Sequence, residues 1–252
     1  MVKIRERILS PTAINTYLYC PQKFYLRYLK KLASRPSIHL IRGQIVHQTL
    51  HKFHKNNPQI SKATPIGAIR KELLSLFNEL WDDAKSRINN LGLSSRQIEF
   101  YHDDSELMLF NYSHWFLKNG MPSPDLTEAK IFSNRFRAMG IIDAVHENKE
   151  GIILVDYKTS KSPKITDDIN RQAAIYALLY FDKFKEMPEA VWIHFLKEVG
   201  DPITIHVDEH LIEYGKILIE SVRNKTKTSD EKDYPCTCGG YCKKDFYENA
   251  TH

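Results

Sequence analysis

Two apolar runs with β-strand patterning, RFRAMGIIDAVHE and GIILVDYKTS, are joined through the turn-rich sequence HENKEG, for which the simplest arrangement is an antiparallel hairpin. If the pairing centres on Lys149-Glu150, Asp143 stands directly opposite Asp156, with Cβ atoms ~4.5–5.5 Å apart. Two like charges so placed and partly buried destabilise the sheet unless they share a proton or hold a cation. A divalent ion resolves the conflict, and carboxylate oxygens suit the hard ions Mg²⁺ or Mn²⁺, which keep bound waters. Side chains alternate along a strand, so Lys158 projects on the same face as Asp156. The residues alone also fit an ordinary hairpin whose aspartates and lysine lie in solvent.

The flanking sequence reads as helices and strands around this hairpin. Ser10-Pro11 is an N-cap followed by proline at the first helical position, opening a helix through AINTYLYCPQKFYLRYLKKL that Pro21 kinks or breaks. Its aromatics Tyr17, Phe24, Tyr25 and Tyr28 suit a core stripe, although rings beside lysines also suit a nucleic-acid surface. HLIRGQIVHQTLHKFHKN is a second helix with His47, His51 and His54 on one face, a spacing open to a metal or to a solvated polar face. IGAIRKELLSLFNELWDDAKSRI and IEFYHDDSELMLFNYSHWFLKNG have helical periodicity and read as a helical insert. After MPSPDL come strands EAKIFSN and the hairpin, a helix DDINRQAAIYALLYFDKF with Asp167 or Asp168 as N-cap, strands AVWIHFLKE and ITIHVD, and a last helix HLIEYGKILIESVRNKTK. The loop KTSKSPK brings Lys161 and Lys164 beside Lys158, either to grip phosphates or as a solvated loop.

A chain of 252 residues with 42% hydrophobic and 11% aromatic content supports one α/β unit with helical additions and a sizeable core. A net charge of +5 favours a polyanionic partner without demanding one. No apolar run approaches the ~18–20 residues of a membrane span, and MVKIRERILS has no signal-peptide pattern, so a soluble cytoplasmic protein with no membrane partner is expected.

The order G-x-x-D (Gly140 to Asp143), D-Y-K-T (Asp156 to Thr159) and Q-x-x-x-Y (Gln172 to Tyr176), preceded by G-x-x-x-H (Gly43 to His47), resembles the PD-(D/E)xK nucleases of the RecB type over roughly residues 40–180. The resemblance implies that His47, Asp143 and Asp156, joined by the backbone carbonyl of Tyr157, ligate the metal, and that Lys158 is the catalytic lysine. It leaves His51 and His54 as surface or secondary groups. Glu128 corresponds to the acidic residue that often precedes the aspartate motif. Gln172 and Tyr176, one helical turn apart, would touch the active site or DNA; read without the resemblance they are a polar edge beside Ile175 and Leu179.

Cys20, followed by Pro21, Phe24 and Tyr25, and the tail Cys236-x-Cys238-x-x-x-Cys242 place one cysteine before this region and three after it. Four thiolates suit an iron-sulfur cluster or a structural zinc. The layout is similar to that of the iron-sulfur nucleases of the same group, namely the CRISPR-associated RecB-like, AddB-type and exonuclease V proteins, with a tighter C-x-C than is usual among them. It implies a structural cluster, 4Fe-4S ahead of zinc. The expected architecture is an α/β, restriction-endonuclease-like core with a mixed sheet flanked by helices, plus a helical insert and a cysteine-stapled N/C-terminal module. The expected division is an N-terminal helical segment (1–40), a helical region with the histidine motif (41–125), the core sheet and helix (126–210) and a C-terminal helix with the cysteine tail (211–252). The expected activity is metal-dependent DNA exonucleolysis on single strands or duplex ends, in CRISPR adaptation, recombination or repair and possible company with other nucleic-acid-processing proteins. The rival is a catalytically weak binding or assembly subunit on the same fold.

Overall fold

The computed structural model describes residues 7–60, 63–149, 151–161 and 163–246. Five strands, β1 (Leu126–Ser133), β2 (Ala138–Asn148), β3 (Gly151–Lys158), β4 (Ala190–Phe195) and β5 (Ile203–His206), form one sheet in chain order. Only β3 and β4 are parallel, connected by a crossover helix; the other neighbours are antiparallel. The hairpin register matches the one expected, running from Asn148↔Gly151 to Ala144↔Val155. Glu150, on which that expectation also rested, lies outside the described residues, as do 1–6 and 247–252 at the ends.

Helices cover both faces of the sheet. One face carries α1 (Pro11–Tyr19), α6 (Asp167–Phe184) and α7 (Glu209–Lys225), whose apolar sides meet Leu154, Val191 and Ile193 in a single core. The other carries α3 (Ile38–Asn56), α4 (Ile66–Asn89) and α5 (Ser95–Asn119), packed on Ile153, Val155 and Tyr157. The split of Leu154 from Ile153 and Val155 follows from the two-residue repeat of a strand buried on both sides. The helices read as an insert, α4 and α5, therefore supply a covering layer of the mixed sheet: Met108, Tyr112 and Phe116 are fully within the core.

Local chemistry sets the ends. Ser10 caps α1 by accepting from Ala13 N, and Pro21 ends the helix by starting α2 (Pro21–Phe24), with Cys20 extended between them. A π-helical turn, Tyr25–Leu29, follows. The aromatics of this segment settle as core: Tyr17, Phe24 and Tyr25 are buried, with their rings against Tyr234. The cap of α6 is Thr166, not Asp167 or Asp168. The threonine hydroxyl reaches Ile169 N, and both aspartates occupy the first turn, where their charge favours the helix dipole. His54 is not at the surface: Tyr112 OH lies 2.5 Å from its Nε2, and burial lowers its pKa to about 3. No helix of the described residues is long and apolar enough to cross a membrane.

Candidate active site

The pairing of β2 with β3 stops at Ala144↔Val155, one residue short of Asp143 and Asp156, while β3 continues beside β4 as far as Lys158↔Phe195. β2 and β3 therefore part at the two aspartates, and a cleft of about 740 Å³ opens there. His47, Glu128, Asp143, Asp156, Tyr157, Lys158, Gln172 and Tyr176 all line it, so every residue singled out around the two aspartates meets in one place.

Within the cleft they form two linked groups. In the first, His47 Nδ1 on α3 is 2.9 Å from Asp143 Oδ1, and Asp143 Oδ2 accepts from Tyr157 N at 2.7 Å. Glu128 joins them: one donor atom from each of His47, Glu128 and Asp143 lies within 4.8 Å of the others. The flanking pairs Thr127↔Ala144 and Ala129↔Ile142 bring Glu128 across from Asp143, and Glu128 itself takes a left-handed conformation, φ 49°. A non-glycine residue held there costs ~1–3 kcal/mol and persists only where its surroundings demand it.

The second group surrounds Asp156, which does not belong to the mutually close trio. Lys158 Nζ lies 2.6 Å from Asp156 Oδ2 and donates to Gln172 Oε1 at 2.8 Å. Gln172 Nε2 reaches Asp156 Oδ1 at 3.0 Å and the Tyr176 hydroxyl at 2.7 Å. Asp156 is only 3% exposed, and its Oδ2 has the ion pair but no hydrogen bond of proper angle among the described residues. Gln172 thus fixes both the carboxylate and the ammonium from one turn of α6.

Electrostatics sharpen the picture. Burial raises the pKa of Asp156; the Lys158 ammonium pulls it back, and the Asp143 charge pushes it up again, to about 6. Burial works against the charged form of His47, but the charge and hydrogen bond of Asp143, then Asp156 and Glu128, overcome it and hold the imidazole at about 9. Glu128 is raised by burial and by Asp143. Carboxylates this crowded gain from a cation, and the nitrogen and oxygen donors with a buried, under-satisfied Asp156 Oδ2 fit a hard divalent ion. Such an ion would be held by His47, Glu128 and Asp143, with Asp156 adjacent.

One glycine makes the approach of α6 possible: a Cβ on Gly140 would lie 2.9 Å from the Tyr176 ring, whereas one on Gly43 would stand 3.4 Å from Thr159 Oγ1, an ordinary contact. Periodicity did not reveal the support behind Thr159. Its carbonyl accepts from the buried Arg42 at 3.1 Å, and Arg42 and Lys197 both pair with Asp104. These residues stand far apart in the chain and carry no local pattern.

The cysteines assemble as well. Cys20 and Cys242 are buried, all four thiols are free, and the four sulfurs lie within 4.8 Å of one another. Cys236 Sγ is 3.6 Å from Cys238 Sγ and 3.7 Å from Cys242 Sγ. Gly240 N and Cys242 N donate to Cys236 and Cys238 at 3.2 and 3.1 Å. Burial resists ionisation of Cys20, but backbone N–H groups of Thr237 and Lys23 bring its thiol down to about 6. Four converging sulfurs with N–H donors aimed at them are a donor set for a thiophilic metal centre.

No curated protein matches the chain in sequence. Among solved structures, it is similar to a crystal structure from Eubacterium rectale described as that of a candidate exonuclease, with 15% identity and a TM-score of 0.50 over 98% of this chain and 91% of that one, a likeness of fold alone. The sequence model of the PD-(D/E)XK nuclease superfamily matches residues 8–244, which takes in the cleft and both cysteine segments. The chain belongs to the PD-(D/E)XK nuclease superfamily, whose members act on nucleic acid and generally use divalent metal ions.

Proposed function

We propose that the protein is a RecB-like DNA exonuclease that hydrolyses phosphodiester bonds in single strands or at duplex ends. The observation that carries this reading is the pair of groups in one cleft: a His47, Glu128 and Asp143 donor trio beside an Asp156 and Lys158 ion pair locked by Gln172. A bound Mg²⁺ or Mn²⁺ supplies a coordinated water and neutralises charge on the phosphate oxygens. His47, Glu128 and Asp143 would hold the ion, with Asp156 and the Tyr157 carbonyl beside them. Lys158 orients the attacking water and stabilises charge developing on phosphorus, while Gln172 and Tyr176 keep Lys158 and Asp156 in place. The Eubacterium rectale protein's description as an exonuclease candidate is in keeping with this activity.

The test is degradation of end-labelled single-stranded DNA with Mg²⁺ or Mn²⁺. Asp156→Ala and Lys158→Ala should each lose at least a hundredfold in rate. Equal cutting by wild type and both variants would remove the site assignment, and an inert wild type that binds DNA would favour an assembly subunit.

The four cysteines hold a structural metal centre that ties α2 to the tail. Their layout favours a 4Fe-4S cluster, as in the CRISPR-associated, recombination and repair nucleases of the RecB group. Their spacing favours a second reading, zinc: four sulfurs ~2.3 Å from one tetrahedral ion stand ~3.8 Å apart, close to the 3.6 and 3.7 Å here. Metal analysis and the visible spectrum of anaerobically purified protein decide between them. Iron with absorbance near ~400 nm supports the cluster; colourless protein with one equivalent of zinc supports the single ion.

A further inference from the structure

The active-site cleft does not close around its carboxylates. At one margin it shares Thr12 and Gln172 with a second hollow of about 390 Å³ that contains Tyr19, Lys23 and Arg27. At the other it shares His39, Thr159 and Ser160 with a third, of about 350 Å³, that contains Phe100, Lys161 and Lys197. Shared walls make the three hollows one groove passing over Asp156 and Lys158. Each side hollow falls at the lower end of the ~300–1,000 Å³ that holds a small organic ligand, room for a nucleotide.

Each arm carries an aromatic ring turned outward. Tyr19 is 56% and Phe100 54% exposed, although other rings of the same helices, Tyr17 and Tyr112, are buried. Cations accompany both: Lys23 Nζ stands 5.3 Å from the Tyr19 ring centre, and beside Phe100 the Tyr101 ring lies under the Arg42 guanidinium at 5.5 Å. In the Phe100 arm, Arg42 and Lys197 share the single charge of Asp104 while Lys161 lines the same hollow, leaving a positive excess. In the Tyr19 arm, Lys23 pairs with Asp245 and Arg171 with Asp168, and Arg27 lines the same hollow, so ring and cation both offer contacts there. Exposed rings beside cations recognise a chain of stacked π-faces joined by phosphates. A duplex turns its base faces inward and cannot use them.

On the nuclease reading above, we infer that one single strand of nucleic acid crosses the cleft, with a base stacked on Tyr19 on one side of the scissile phosphate and on Phe100 on the other. The structure thus provides a binding subsite on each side of the catalytic residues rather than a dead-end pocket for one terminal nucleotide.

The test is fluorescence anisotropy with labelled oligonucleotides of roughly 12 nucleotides, within the span of a single-strand site, with Mg²⁺ and Mn²⁺ withheld so that nothing is cut and no chelator strips the cysteine centre. Arms of DNA, RNA and duplex DNA are compared for wild type, Tyr19→Ala, Phe100→Ala and Phe100→Trp. Both rings are exposed, so circular dichroism should show all variants folded. Each alanine variant should weaken single-strand binding roughly 5- to 100-fold, from ~1–3 kcal/mol per stacked base, with Phe100→Trp retaining it and duplex binding little changed. The single-strand arms show whether the groove takes DNA, RNA or both. Unchanged binding by either alanine variant, or an equal loss on duplex, overturns the groove while leaving the nuclease reading intact. A wild type that binds none of the three in this assay, and cuts none of them once Mg²⁺ or Mn²⁺ is supplied, would sink that reading and the groove with it.

Discussion

Gly140→Ala tests whether a missing side chain in β2 sets the position of α6. The new Cβ would lie 2.9 and 3.0 Å from two carbons of the Tyr176 ring and 3.2 Å from Leu179 Cδ1. Neither neighbour is a loose chain end: both belong to the core, and the Tyr176 hydroxyl is tied to Gln172. Overpacking of this kind costs ~1–3 kcal/mol. Alanine also restricts the unfolded chain relative to glycine, which returns ~0.4–1 kcal/mol, so a net loss of about 1–2 kcal/mol is expected. At an m-value of about 3 kcal/mol/M, the urea midpoint should fall by roughly 0.3–0.7 M. Because Gln172 moves with Tyr176, cleavage should fall as well, in folded protein below the transition. In a Tyr176→Val background the two tightest contacts are gone and only that with Leu179 remains, so the same substitution should cost at least ~1 kcal/mol less, a coupling that a double-mutant cycle reads directly. A Gly140→Ala protein that unfolds at the wild-type midpoint and cuts at the wild-type rate would refute the packing argument.

Gln172→Leu removes both the acceptor for Lys158 and the donor to Asp156, and should lower the cleavage rate or metal affinity ~10–100-fold with near-native unfolding; an unaffected rate would show the glutamine to be idle. His146 and His194 are buried and held neutral, each lowered to about 4 chiefly by burial. The unfolded chain takes up their protons near the ordinary value of 6.5, so the stability they contribute is present above that pH and is lost as pH falls toward 4, by about 2 kcal/mol each at pH 5. Both ring nitrogens of His194 have no hydrogen bond among the described residues, so His194→Phe should raise stability and flatten its pH dependence in chemical denaturation at pH 5 and 8; an unchanged slope would contradict this. Thr166→Ala should cost ~1 kcal/mol through loss of the α6 cap, while Thr166→Asp should restore most of it in thermal unfolding.

Much of this architecture was legible because its determinants are local. The HENKEG turn sets the hairpin register that the structure follows to Ala144↔Val155, and Pro21 ends the first helix for want of an N–H. Alternation from that turn put Asp143 opposite Asp156 and Lys158 on the face of Asp156, while leaving open a hairpin with all three in solvent. What stayed hidden depends on distant contacts or on backbone geometry. The left-handed turn at Glu128 has no residue signature, since glutamate is not a residue that favours it. Asp104 finds Arg42 and Lys197 only after α3, α5 and the end of β4 are brought together. Thr166 took the cap because its position relative to the first turn, not charge, decides which side chain reaches the free N–H groups. His54 lies inward because the rotation of α3 toward α5 turns that part of the histidine face onto Tyr112.

The convergence of Cys20 with three cysteines more than two hundred residues later imposes an order on biosynthesis. While a ribosome is still making the strands, the first sulfur waits without its companions, and the four-sulfur site is complete only after residue 242 has emerged. A chain broken off before that point lacks Cys242, a buried member of the group, so a metal held by all four sulfurs would mark a molecule translated through its cysteine tail.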